Sequence, residues 1–138
     1  MKGFAGFPDG KIRITPVPNR FFSDLLPHID HQGELKVTLY CFWRLALKEG
    51  QIRYLSRDEF LNDDALIGGL ATHREEAENL LNESLERACS RGTLLQVKIG
   101  NNSGDERVYF LNTPKGRAAV KGIQLGKWHP STNAEIPI

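Results

Sequence analysis

Four side chains within one short stretch carry the donor atoms of a metal site: His28, Asp30, His31 and Glu34. Imidazole nitrogen and carboxylate oxygen together suit zinc, whose sites need three or four such ligands at a recurring spacing. The spacing here matches no known ligand pattern, so the stretch reads as a structural loop. Asn62-Asp63-Asp64 offers oxygens to a harder cation, but its composition is that of a turn and a helix cap. The chain has no P-loop, G-x-G-x-x-G, G-x-S-x-G or H-E-x-x-H, and no nucleophile with a base beside it. The expectation is a protein that is not an enzyme and that uses no metal and no cofactor.

The remaining chemistry is that of charge. Lys98, Arg107, Lys115, Arg117 and Lys121 gather in the C-terminal third, and Lys11, Arg13 and Arg20 near the N-terminus. Cations so spread give salt-dependent contacts to a phosphate backbone without sequence preference, and they equally suit plain surface charge. Tyr109 joins the candidate nucleic-acid set as an aromatic able to stack on a base. Its place in an apolar run makes it first a sheet-packing residue. Between the basic ends the middle is acidic: residues 51–92 hold five Lys/Arg against nine Asp/Glu, whereas residues 93–138 hold six against three. Residues 73–87 carry five glutamates and two arginines. A helix so charged is repelled by phosphates and reads as a solvated face, or as a dock for a basic protein surface, not as a reader of bases.

The elements that must position these residues follow from periodicity. Residues 34–48, ELKVTLYCFWRLALK, are so apolar that they predict a helix surrounded on most sides, closed by Gly50. Ahead of it, residues 11–15 alternate basic and apolar side chains like a half-buried strand. Pro16-Val17-Pro18 stops that strand, and Asn19 caps a short helix over 20–26 that Pro27 ends. After Gly50, residues 52–55 suit a short strand. Ser56 with Glu59 forms a capping box, and residues 65–70 an apolar turn. Thr72 with Glu75 forms a second capping box, opening a helix over 73–90. There Ala77, Leu80, Leu81, Leu85, Ala88 and Cys89 recur at helical spacing, and Arg91-Gly92 ends it. Residues 94–99 and 107–111 predict paired strands joined by a polar loop over 100–106, with Leu95, Val97 and Ile99 on one face. Thr113-Pro114 opens a last helix, and from Gly122 the chain reads as linker.

Phe4, Phe7, Ile12, Ile14, Phe21 and Phe22 make the N-terminal segment a candidate oligomerisation surface. A lone strand at 11–15 has two outlets, pairing with another chain or joining the domain's own sheet. The 138 residues fit one domain. The expected division is an arm with strand and short helix at 1–33, a folded domain at 34–121 and a linker-like tail at 122–138. That tail suggests a chain continuing into a further domain. Cys41 and Cys89 lack C-x-x-C spacing and read as free thiols. With no signal-peptide h-region and no transmembrane run, cytoplasm is the expected location.

Helix, strand, two helices, strand, loop, strand and helix is the order of a winged helix-turn-helix in the α+β class. The fold hosts several functions and assigns none. The run KIRITPVPNRFFSDLLPHIDHQGELKVTLYCFWRLALK, residues 11–48, resembles the N-terminal domain of DnaD-like replication-initiation (primosomal) proteins. The resemblance continues through RYLSRDEFLND, the acidic helix, the wing and Thr113-Pro114-Lys115-Gly116-Arg117. It implies a non-enzymatic part in assembling the primosome. It further implies self-association as a dimer or higher, contacts with replication-initiation proteins or a helicase loader, and possible backbone contact with DNA. The alternative is a winged-helix transcription regulator that binds duplex DNA through the wing and the basic ends. A replication accessory protein of phage or plasmid origin would share the fold.

Overall fold

The apolar stretch becomes helix α1, Gln32–Leu47. In this computed structural model residues 1–99 and 106–130 are described. Most of the polar loop expected at 100–106, and the linker-like ending beyond Pro130, lie outside the described residues. His31 caps α1, its Nδ1 accepting the Glu34 N–H at 3.0 Å. The helix closes at Lys48 in extended conformation, and Gly50 (φ +91°) turns the chain only after the end has passed. Val37, Cys41 and Leu45 face the core, but Leu39, Trp43 and Leu47 stand exposed on the far side. The expectation of a helix buried on most sides is therefore corrected: burial runs from Tyr40 round to Phe42, little more than half of the circumference, and the arc through Leu39, Trp43 and Leu47 is open.

β1, Leu55–Ser56, runs straight into α2, Arg57–Leu61. Both halves of the capping box are made, with Glu59 N–H donating to Ser56 Oγ at 3.3 Å and Ser56 N–H to Glu59 Oε2 at 2.8 Å. The apolar turn expected at 65–70 is a helix, α3, Asp64–Leu70, because the Asp63 carboxylate accepts the N–H groups of Ala65 and Leu66. α4 spans Arg74–Arg91 and ends at Gly92, which takes the left-handed conformation (φ +93°) that glycine adopts without strain. Its start is corrected: His73, not Thr72, is the N-cap and makes no side-chain bond. Arg74 ties this end down instead, donating to the Leu61 carbonyl at 2.8 Å and to Glu78 at 2.8 Å.

β2, Leu94–Lys98, and β3, Arg107–Leu111, pair antiparallel, and β1 adds to β3, so the sheet order is β1-β3-β2. Alternation along the strands divides two cores. Leu94 and Tyr109 pack with α1, α3 and α4 through Val37, Cys41, Leu81 and Leu85. Val97, Val108 and Phe110 pack on the other face under α5, Pro114–Gln124, with Leu95 and Ile99 beside them. Gly116 lets α5 sit this close, since a Cβ there would lie 2.0 Å from the Leu111 carbonyl oxygen. The chain does not loosen at Gly122: α5 continues to Gln124, and the Trp128 ring meets Phe110 edge-on at 6.3 Å.

Residues 11–15 form no strand; the backbone there has no regular structure, and Ile12 and Ile14 are exposed. Alternation gave the segment its two faces, but no strand of the sheet offers it a ladder partner. The next segment is one π-helical turn, Phe21–Leu25, continued by a 3₁₀ turn, Leu26–His28, that contains Pro27 instead of ending before it. The described residues thus form a mixed α+β fold with a three-stranded antiparallel sheet, compatible with the expected winged helix. Among them no helix is long and apolar enough to cross a membrane.

Candidate functional site

The uncovered apolar surface is concentrated at the N-terminus and on α1. Phe4 (74 % exposed) and Phe7 (82 %) meet edge to face at 5.0 Å. Ile14 is 81 % exposed, and Ile12 and Phe22 about half. Phe21 leaves the candidate oligomerisation set. It is buried, its ring set against Phe42 at 5.7 Å, and it anchors the root of the arm to α1. Leu39, Trp43 and Leu47, spaced four apart, add an apolar stripe that sequence reasoning missed. The available signal was polar: Gln32 and Lys36 fall on the same arc at about 100° per residue, marking that side as the open one. Single exposed apolar residues need no explanation, but a cluster of this kind marks an interaction surface.

The candidate nucleic-acid residues do not converge. Lys98 and Arg107 are directly opposed across the strand pair and project to the Gln96–Tyr109 face. α5, which carries Lys115, Arg117 and Lys121, covers the Val97–Val108 face. The sheet stands between the two groups. Arg117 and Lys121 share the outward face of α5, and Arg117 donates to Asn112 Oδ1 at 3.0 Å. Tyr109 drops out of the set. It is 2 % exposed, its ring packed edge-on against Phe60 at 5.7 Å, and burial raises its phenol pKa. The acidic outward face of α4 is as expected: Glu75, Glu76 and Glu86 point to solvent, while Glu78 and Glu83 pair with Arg74 and Arg87 along the helix.

The residues weighed as metal ligands are otherwise employed. His31 caps α1, His28 and Asp30 are exposed, and Glu34 is fully buried in a bidentate pair with Arg91 at 2.6 and 3.0 Å. Among the described residues no three His, Cys, Asp or Glu side chains gather as a metal site would need. Asp63 accepts the Tyr40 hydroxyl at 2.7 Å as well as the α3 N–H groups. These bonds hold its carboxyl below the usual carboxylate range, the phenol's first. Burial, then the hydrogen bond to Asp63, raises the Tyr40 phenol. Cys41 and Cys89 are free thiols. Burial pushes Cys89 up to about 11 and Cys41 further, which leaves neither primed as a nucleophile.

No protein-family model matches the chain, no curated protein matches its sequence and no solved structure matches its fold.

Proposed function

We propose that the chain is a non-enzymatic winged-helix scaffold of a DnaD-like replication-initiation (primosome) assembly, acting in the cytoplasm, and that it associates with copies of itself through its N-terminal arm. The carrying observation is the arm itself, where Phe4, Phe7 and Ile14 project into solvent with almost nothing of their own chain against them. Burying one such side chain is worth about 1.5–3 kcal/mol. Two phenylalanines from each of two arms therefore supply about 6–12 kcal/mol of gross driving force. Micromolar association needs about 8 kcal/mol net of ordering costs, so the half-exposed Ile12 and Phe22 belong to the same surface. The order of elements and the β1-β3-β2 sheet support the winged-helix reading.

The reading as a duplex-DNA regulator has less support. α4 occupies the place of a recognition helix and presents glutamates, and the basic residues lie on two sides of the sheet. Contact with DNA, as a secondary activity, is then made to the phosphate backbone by Lys115, Arg117 and Lys121. Replication-initiation proteins or a helicase loader are the partners that the resemblance implies.

The test is capture between two differently tagged copies expressed together. The wild type is expected to bring down its partner copy, and Phe4→Ser/Phe7→Ser/Ile14→Ser is expected to lose it. Thermal stability should stay within about 0.5 kcal/mol, since all three side chains are exposed. Undiminished capture by the triple variant overturns the proposal.

A further inference from the structure

A groove of about 1640 Å³ runs between the root of the arm, the C-terminal end of α1 and the start of α5. It exceeds the ~300–1,000 Å³ of small-molecule pockets, which favours an extended ligand. Its walls are apolar, with Ile14 and Phe21 from the arm, Phe42, Trp43 and Leu47 from α1, and Ile52 beyond it. Its charge is one-sided. Arg13, Arg20, Arg53 and Lys115 line it and, among the described residues, no Asp or Glu does, in a chain whose totals are nearly balanced at 18 Lys+Arg and 17 Asp+Glu. Arg53 is held in place by donating to the carbonyls of Gly50 and Leu45, at 3.0 and 3.2 Å, which leaves its charge unneutralised. Arg20 has Asp24 no nearer than 3.9 Å. The N-terminal end of α5 opens on the same groove and adds its positive dipole.

We propose that this groove is a docking site for an acidic peptide segment of a partner protein, one that carries aromatic or aliphatic anchors between its carboxylates. Charge complementarity selects the occupant. Four cations, with no acidic side chain among the described lining residues, concentrate a positive field over an apolar floor, and a negatively charged amphipathic segment answers both. The arm of a second copy does not: with Lys2, Lys11 and Arg13 against Asp9, it is itself positive. A nucleic-acid strand would stack on open aromatic faces. Of the groove's aromatics, Phe21, Phe42 and Phe110 are buried, and Trp43 already has the Arg44 guanidinium 5.2 Å from its ring centre. The proposal needs neither self-association nor the family resemblance.

The probe is a fluorescein-labelled peptide of about twelve residues with Phe and Leu anchors set among Asp and Glu, long enough to span such a groove when extended. Fluorescence anisotropy is read with the full chain, and the oligomeric state of each sample is followed by sedimentation. Binding is expected with the acidic peptide and not with the same peptide bearing Asn and Gln in place of the acids. Arg13→Glu/Lys115→Glu, both exposed, should weaken it roughly tenfold, as reversing two rim charges does. Trp43→Ala, also exposed, should weaken it through lost apolar contact while leaving a far-UV spectrum like the wild type. Equal affinity for the amide peptide, or no binding to either, overturns the proposal. So does displacement of the acidic peptide by oligo-thymidine together with tighter binding of that strand. Peptide binding by a chain that sediments as a monomer supports the groove while removing the self-association reading. Self-association without peptide binding does the reverse.

Discussion

Replacing Arg91 by leucine removes a polar tie between α1 and α4 whose two ends are 57 residues apart in the chain. Leucine keeps part of the apolar stem but deletes both hydrogen bonds to Glu34, the 2.6 Å bond from Nε and the 3.0 Å bond from Nη2. Glu34 has 0 % of its surface exposed, so its carboxyl group is left buried without its partner. Breaking a buried pair in this way costs about 3–5 kcal/mol. The Arg91 side chain keeps a quarter of its surface in water, so the lower end applies, about 3 kcal/mol. At about 3–4 °C per kcal/mol for a chain of this length, the melting temperature should fall by about 10 °C. Glu34→Met/Arg91→Leu removes both charges, and it should be more stable than Arg91→Leu alone. The arginine pKa is raised, chiefly by its hydrogen bond to Glu34. For a group raised on folding, the stabilisation is complete below the unfolded value and is lost only above it, so the arginine's own titration adds no pH dependence near neutrality. Urea unfolding followed by far-UV circular dichroism measures the wild type and both variants. A cost below about 0.5 kcal/mol for Arg91→Leu, the range of an ordinary surface change, would refute the reasoning. A double variant weaker than the single would do the same.

Three further outcomes rest on local geometry. Gly116→Ala should destabilise by about 1–3 kcal/mol, because its Cβ would press on the Leu111 backbone. Gly68→Ala, in the middle of α3 with nothing within 4 Å, should stabilise by about 0.5–1 kcal/mol, and thermal melts of the pair separate the two effects. Tyr40→Phe should cost about 1–2 kcal/mol at neutral pH by removing the hydrogen bond to the Asp63 carboxylate. Asp63 is depressed on folding, so this stabilisation is present above the unfolded value near 3.8 and fades as pH falls through the folded one. The difference between wild type and Tyr40→Phe should therefore shrink below about pH 4. An undiminished difference in acid would contradict the assigned bond.

Local signals were legible where one short stretch settles the geometry. Ser56 and Glu59 are three apart and make both bonds of their box, and Gly92 closes α4 in the conformation that favours glycine. The alternation Leu95, Val97, Ile99 placed that face of the sheet correctly. Thr72 and Glu75 have the spacing of a box too, yet the helix starts one residue later, where Arg74 makes a tertiary bond to the Leu61 carbonyl and a local one to Glu78. The alternation at residues 11–15 reports amphipathicity and says nothing of a partner strand, so a segment that reads as a strand lies open as an arm. Counting apolar residues in α1 overstated its burial, because whether Leu39 and Trp43 are covered depends on what else the chain folds over them. The Glu34–Arg91 pair and the one-signed groove join residues far apart in sequence, and no window along the chain contains them.

Sedimentation velocity of the untagged chain, over about 1 to 200 µM, bears most directly on the proposed role, because micromolar association lies within that range. A sedimentation coefficient that rises with concentration, and ceases to rise in Phe4→Ser/Phe7→Ser/Ile14→Ser, is the expected result. A single monomeric species throughout would contradict association through the arm.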